Sequence, residues 1–188
     1  MSATDLSSHV SPFRIPLSGA RTRYTVMESP VASLLLLSDG ESLTGLHMIG
    51  GRGEPQVERS WVADGDWFGP VVAELHAYFA GTGTTFATPL APEGTPFQRM
   101  VWAALTEIPF GETWSYGTLA RRIGNPAASR AVGLANGRNP ISIIIPCHRV
   151  IGANGALTGY GGGLDKKAWL LRHEAASLAR MRGFTLRS

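Results

Sequence analysis

The chain holds a single thiol, and the residues around it are those that would make it react. Cys147 follows Pro146 and precedes His148 and Arg149. A thiol becomes a strong nucleophile only as thiolate, and a neighbouring imidazole or positive charge is what makes the thiolate accessible. The run 141–145 (ISIII) predicts a buried strand. Pro146 denies that strand a ladder donor and fixes its exit, so Cys147 is expected where strand gives way to turn. Adjacent side chains on an extended segment point opposite ways, so His148 reaches the sulfur only through a backbone turn or a bridging water. A third group, Glu174, borders the apolar face that Ala168, Leu171, Ala175 and Leu178 give to a helix predicted over 166–181. It is either a surface ion-pair partner of Arg172 or Lys167, or the acceptor that orients His148 in a Cys-His-Glu triad. Spacing leaves both open. The inert alternative for Cys147 is a small buried hydrophobe. As the lone cysteine it excludes an internal disulfide and a multi-thiolate zinc site.

The elements that must hold this segment fall into two units of opposite charge. Residues 1–94 carry 5 Lys/Arg and 10 Asp/Glu, a net of −5, whereas 95–188 carry 12 and 4, a net of +8. That asymmetry turns the second unit toward an anionic partner such as nucleic acid. With 188 residues, 44% hydrophobic and 16% charged, the chain can bury a core without staples, which excludes a disordered tail protein and a coiled coil. The first thirty residues lack a basic stretch leading into an apolar one, and no run has the length of a membrane span, so a cytoplasmic location is expected.

Residues 1–20 are Ser/Pro-rich and are expected to form a poorly ordered leader. A first unit over 21–87 begins with β-type runs at 24–27, 33–37 and 42–48, the last two flanking the turn pair Asp39-Gly40. A helix follows, with Asp66 as cap, Phe68, Val71, Val72, Leu75 and Phe79 on its apolar face, and Gly81 at its end. Residues 88–94 are the expected linker. The second unit, 95–188, opens with the capping box Thr95-Pro96-Phe97-Gln98. Two short helices, about 115–123 and 125–136, meet at Gly124 in the form of a helix-turn-helix. The second carries Ser129, Arg130, Ala131, Gly133 and Asn136; its small residues suit close approach to a groove, and Arg130 is its long cation. An αα-hairpin that merely packs has the same shape, and the +8 charge favours DNA.

From Phe97 to Glu174 the sequence resembles the C-terminal domain of the O6-alkylguanine-DNA alkyltransferases, or methylated-DNA–protein-cysteine methyltransferases. The resemblance rests on 108–116 (IPFGETWSY), 130–133 (RAVG), Asn139-Pro140, 145–150 (IPCHRV) and 158–164 (TGYGGGL). The first unit resembles that family's ribonuclease-H-like domain only as a sheet-plus-helix arrangement. The implied fold class is therefore α/β (α+β): a ribonuclease-H-like sheet-plus-helix domain, then a mostly helical, winged helix-turn-helix-like domain.

The resemblance implies DNA repair by direct reversal. Cys147 would take a methyl or larger alkyl group from O6 of guanine, and also from O4 of thymine, in duplex DNA, irreversibly and once per chain. It implies that His148 deprotonates Cys147 through a water with Glu174 behind it, and that Tyr116 protonates or hydrogen-bonds the departing guanine. Arg130 would fill the space left by the flipped nucleotide, and Asn139 would hold the turn before Pro140. Around the pocket, Tyr160 would pack on the base, the backbone of Val150 and Gly161 would read its edge, and Gly162 would belong to the lip 155–163. Some relatives carry serine at the position of Gly161; glycine keeps the amide and loosens the loop. Lacking N-terminal cysteines, the chain is expected to hold no zinc, no other cofactor and no second acceptor. A monomer in solution is expected, with cooperativity on DNA open. A cysteine hydrolase would turn over and would not need a basic helix-turn-helix, and a plain DNA-binding regulator would not need the thiol. A damage-sensing relative would lack the acceptor cysteine.

Overall fold

The computed structural model describes residues 11–183. Its first unit is a four-stranded sheet in the order β3-β2-β1-β4. Strands β1 (Arg23–Met27), β2 (Leu34–Ser38) and β3 (Leu43–Met48) pair antiparallel. The four leucines of β2 place it at the centre, buried on both faces. The β2–β3 turn forms as Asp39-Gly40 predicts: Gly40 takes φ +97°, and Asp39 Oδ1 accepts from the amides of Glu41 and Ser42 at 2.9 and 2.8 Å. Strand β4 (Val62–Ala63) pairs parallel with β1; at two exposed residues it has no periodicity to betray it. Helix α1 (Gly69–Ala80) buries Val71, Leu75 and Tyr78 and stops at left-handed Gly81. Its start differs from expectation. The Asp66 side chain caps nothing; Phe68 is the N-cap, and the nearby side-chain acceptor is Asp64, which takes the Trp67 amide at 3.1 Å.

The chain flanking this unit is tied down. Of the expected leader, residues 1–10 lie outside the described residues, but Phe13 is buried in the core and the Arg14 amide donates to Leu90 O at 2.8 Å. Within 88–94, Pro89 and Ala91 hydrogen-bond both sides of Leu43, so the segment runs along the edge of β3. Phe13 and Ala91 belong to a buried apolar surface, and that outweighs the Ser/Pro-rich composition around them.

In the second unit, helix α2 (Pro96–Leu105) has its capping box: Thr95 Oγ1 accepts from the Gln98 amide and Gln98 Oε1 from the Thr95 amide. A short strand β5 (Trp114–Ser115) leads into α3 (Tyr116–Arg122), capped by the Ser115 hydroxyl. After Gly124 and a 3₁₀ turn at Pro126–Ala128 comes α4 (Ser129–Gly137). Helix α2 packs on α4, fastened by Trp102 Nε1, which donates to Ala135 O at 2.9 Å. Strand β6 (Val150–Ile151) pairs parallel with β5, and α5 (Leu164–Met181) closes the fold. Among the described residues no helix is long and apolar enough to cross a membrane.

Two expectations about this unit are corrected. The run 141–145 is no strand. Ile141 alone bridges Leu46 of β3, after which the backbone coils on itself: Ile144 N bonds Ser142 O at 2.8 Å, Ile145 N bonds Ile141 O at 3.0 Å, and Ile143 takes φ +71°. A left-handed β-branched residue is strained, so its surroundings must hold it there. On α5 the deepest positions are Lys167, Leu170, Glu174 and Ser177, one residue before the apolar stripe expected from Ala168, Leu171, Ala175 and Leu178. Three of those four are polar: Lys167 and Glu174 meet polar groups of other elements inside, and Ser177 takes the Arg180 guanidinium one turn on.

Candidate active site

The coiled segment delivers Cys147 into a 3₁₀ turn, Cys147–Arg149, buried throughout. Asn139 builds the approach. Its side-chain amide donates to Ile145 O at 2.8 Å and Ile141 O at 3.4 Å, and its Oδ1 accepts from Ile141 N at 3.0 Å. It thereby supplies the partners that a strand neighbour would have supplied, and it holds the strained Ile143 between them. Replacing Asn139 with alanine should cost about 1–3 kcal/mol through the unpaired carbonyls. That corresponds to a fall in melting temperature of about 2–4 °C per kcal/mol for a chain of this size, measured by thermal unfolding. A melting point equal to the parent's would reject this role.

The turn sets His148 and Arg149 on one carboxylate. His148 Nε2 lies 2.7 Å from Glu174 Oε1, with both side chains fully buried. Arg149 bonds the same carboxylate bidentately, Nε to Oε2 at 2.9 Å and a terminal nitrogen to Oε1 at 3.0 Å. Its other terminal nitrogen donates to Ile108 O, and its guanidinium lies 5.6 Å from the Phe110 ring. Burial pushes the Glu174 carboxyl upward, but His148 and Arg149 outweigh it and hold the group well below the usual carboxylate range. Of the two readings of Glu174, the structure has the inward one; Arg172 and Lys167 are not its partners.

Burial lowers the His148 pKa against the opposing pull of Glu174, so the ring is neutral. An ionised carboxylate only accepts, so Nε2 carries the proton and Nδ1 keeps its lone pair. Nδ1 is buried with no partner among the described residues. Burial likewise raises the Cys147 thiol, opposed by the Asn139 side chain and the Lys167 charge. The resting state is a buried thiol followed in the same turn by a neutral imidazole with an unpaired nitrogen.

Lys167 is a residue that sequence reasoning placed only as an ion-pair candidate. It is fully buried, and its ammonium donates to Val150 O at 2.6 Å and Thr158 O at 2.7 Å. It ties the lip to β6 and puts a positive charge near the thiol. Its spacing from Leu170 and Glu174 was the available signal, masked by the usual exposure of lysine.

A cavity of about 690 Å³ opens over the thiol. Cys147, Gly133, Asn136, Asn139, Tyr160, Gly161 and Gly162 line it. Its opposite wall comes from the first unit, where Met48, Gly51 and Arg52 face the lip and the Arg52 amide donates to Gly161 O at 2.8 Å. Tyr160 has a buried hydroxyl without a partner among the described residues. Tyr116 lies beside Gly133, where an added Cβ would stand 3.7 Å from its ring, and its hydroxyl accepts from Thr158 Oγ1 at 3.2 Å. Val150 is buried, paired with Trp114, and its carbonyl takes Lys167.

On α4, Arg130 and Ala131 are exposed, and Ser129 and Gly133 are half-buried. Asn136 departs from its expected place on that surface. It is buried, and its amide reaches Cys147 O at 3.4 Å, because six residues at about 100° each set it about 120° around the helix from the exposed Arg130, on the cavity wall. Among the described residues no group of three or more His, Cys, Asp or Glu side chains is placed to hold a metal ion.

Comparison with known proteins bears on the same two units. Residues 22–92 match the ribonuclease-like domain of 6-O-methylguanine DNA methyltransferase, and residues 96–176 match its DNA binding domain. A methylated-DNA–protein-cysteine methyltransferase of Methanosarcina acetivorans is 54% identical over 153 residues, spanning 81% of this chain and 98% of that protein. Its counterpart in Mycobacterium tuberculosis is 52% identical over 151 residues, 80% of this chain and 91% of that protein. The crystal structure of Mycobacterium tuberculosis OGT in complex with DNA superposes with a TM-score of 0.77 at 50% identity, covering 82% of this chain and 94% of that one. The O6-methylguanine methyltransferase of the same organism gives a TM-score of 0.75, covering 83% and 94%. With both units matched in order and a buried Cys-His-Glu array under a cavity, the chain belongs to the 6-O-methylguanine DNA methyltransferase family of DNA repair proteins.

Proposed function

We propose that Cys147 is the acceptor in a single-turnover transfer of a methyl or larger alkyl group from O6 of guanine, and from O4 of thymine, in duplex DNA. The observation that carries this reading is the buried relay: Glu174 fixes the Nε2 tautomer of His148, and Nδ1 is left unpaired beside the turn that bears the thiol. The Cys147 proton passes to His148 through a water. The sulfur attacks the alkyl carbon in line, the S–C bond forms as the C–O6 bond breaks, and the electron pair returns to the base. Tyr116 supplies the proton or hydrogen bond that the departing guanine needs, and the product is intact guanine with a thioether on Cys147. A thioether is not displaced by protein side chains, so one chain repairs one lesion.

The base enters extrahelically, since the thiol is buried under the cavity and a base still stacked in the duplex cannot reach it. Tyr160 and the Gly161-Gly162 lip enclose it, and Arg130 on the exposed face of α4 fills the gap left in the helix. The basic second unit and the DNA-bound relative support action on DNA, for which the cytoplasm is the proposed compartment.

Intact-mass spectrometry after incubation with duplex DNA carrying one O6-methylguanine tests the reading. The parent should gain one methyl group per chain and Cys147→Ser none. An unchanged parent mass, with the thiol reduced and the protein folded, would reject the transfer.

A further inference from the structure

We propose that Tyr78, carried by the first unit, is a positioning residue of the acceptor site: its hydroxyl donates to Glu174 Oε1 at 2.8 Å and holds that oxygen toward the His148 Nε2 proton. The inference rests on the function proposed above and gives a role in the relay to a unit that otherwise only walls the cavity.

Tyr78 is fully buried in the last turn of α1, and its place is determined from several sides. Its ring meets Phe110 edge-on at 5.9 Å and lies 5.8 Å from Phe86. His173 Nε2, one residue before Glu174 on α5, lies 2.8 Å from the Tyr78 carbonyl. The end of α1 comes so close to α5 that a Cβ on Gly81 would stand 2.5 Å from Ser177 Oγ. Packing alone would be served equally by phenylalanine; the hydroxyl is what reaches the carboxylate.

Glu174 Oε1 takes His148, Tyr78 and Arg149, while Oε2 takes Arg149 and the Gly111 amide at 3.1 Å. An ionised carboxylate offers about four lone-pair sites. Five donors saturate it, and the set of donors decides where each lone pair points. Without the Tyr78 hydroxyl, more of the Oε1 charge falls on His148, and the imidazole becomes easier to protonate. The charged and titratable groups around that ring are Cys147 and Arg149 in its own turn, Lys167 and Glu174 on α5, and Tyr160 on the lip at 6.5 Å. All of them stay in place when only the phenol oxygen is removed.

Transfer requires neutral His148, so Tyr78→Phe should move the acid limb of the pH–rate profile to higher pH. The rate should fall about threefold to tenfold on that limb and converge on the parent above it. The experiment measures single-turnover transfer from duplex DNA carrying one O6-methylguanine to the full chain across the imidazole titration range, together with the NMR titration of His148 in DNA-free protein. Phe86→Leu, which loosens the ring packing and leaves the hydroxyl, is the control. Both curves should shift in Tyr78→Phe and neither in Phe86→Leu. Curves of Tyr78→Phe that superpose on the parent, or an equal shift in Phe86→Leu, would overturn the role. A parent that takes up no methyl would strike the proposed function instead, and the imidazole titration would then decide the Tyr78 contact by itself.

Discussion

Glu174→Gln should slow alkyl transfer by about a hundredfold or more, the usual scale of losing a general base. It should also cost about 3–5 kcal/mol of stability, because Arg149 is left as a buried charge without its counter-ion. Both effects have one origin. The carboxylate holds the His148 imidazole, and it neutralises a guanidinium that is almost wholly buried. Single-turnover kinetics and urea unfolding of the same variant measure the two losses. A rate within threefold of the parent would show that His148 needs no partner, and an unchanged unfolding midpoint would show that Arg149 finds another.

The pH dependence follows with a definite sign. Glu174 is held far below its unfolded value of about 4.3, so the unfolded chain takes up that proton first. Its contribution to stability is complete above that value and is lost as the pH falls through and below it. His148, lowered by burial from its ordinary value near 6.5, acts in the same direction at higher pH, because the unfolded chain binds the imidazole proton while the native one does not. The parent should therefore weaken from about pH 6.5 downward and more steeply in the carboxylate range. Glu174→Gln should lose the lower of these two components.

Arg130→Ala should reduce transfer from duplex DNA by about a hundredfold while changing transfer from the free alkylated base by less than about threefold. Extruding a nucleotide costs a few kcal/mol, and each 1.4 kcal/mol is a factor of ten. Arg130 stands on the exposed face of α4 and is not among the residues that line the cavity over Cys147. In the proposed role, a side chain so placed acts on the helix from which the base is taken and leaves the chemistry alone. Paired single-turnover measurements on the two substrates separate these effects, and equal losses on both would remove Arg130 from the extrusion step.

Local chemistry made much of this legible before any coordinates. The capping box at Thr95, the turn at Asp39-Gly40, the stop at Gly81 and the short helices around Gly124 are decided within a few residues, where hydrogen bonds and backbone preferences act. The sole thiol beside His148 marked the candidate centre for the same reason. Expectations failed where distant chain supplied the partner. The run 141–145 has strand composition, yet the Asn139 side chain competes for its carbonyls and coils it. Phe13 and Ala91 sit in segments of loop composition, yet the core takes them in.

By itself the sequence determined two halves of opposite charge, two short helices around Gly124 and a lone cysteine beside a histidine, because charge, periodicity and residue type are properties of short windows. Only the tertiary structure decided that Glu174 turns inward, that Asn136 faces the thiol turn instead of solvent, that Lys167 is buried, and that Tyr78 reaches across 96 residues to the carboxylate of the relay. A buried polar side chain is tolerated only when a partner waits for it, and in each of these cases that partner is brought by packing between elements far apart in the chain.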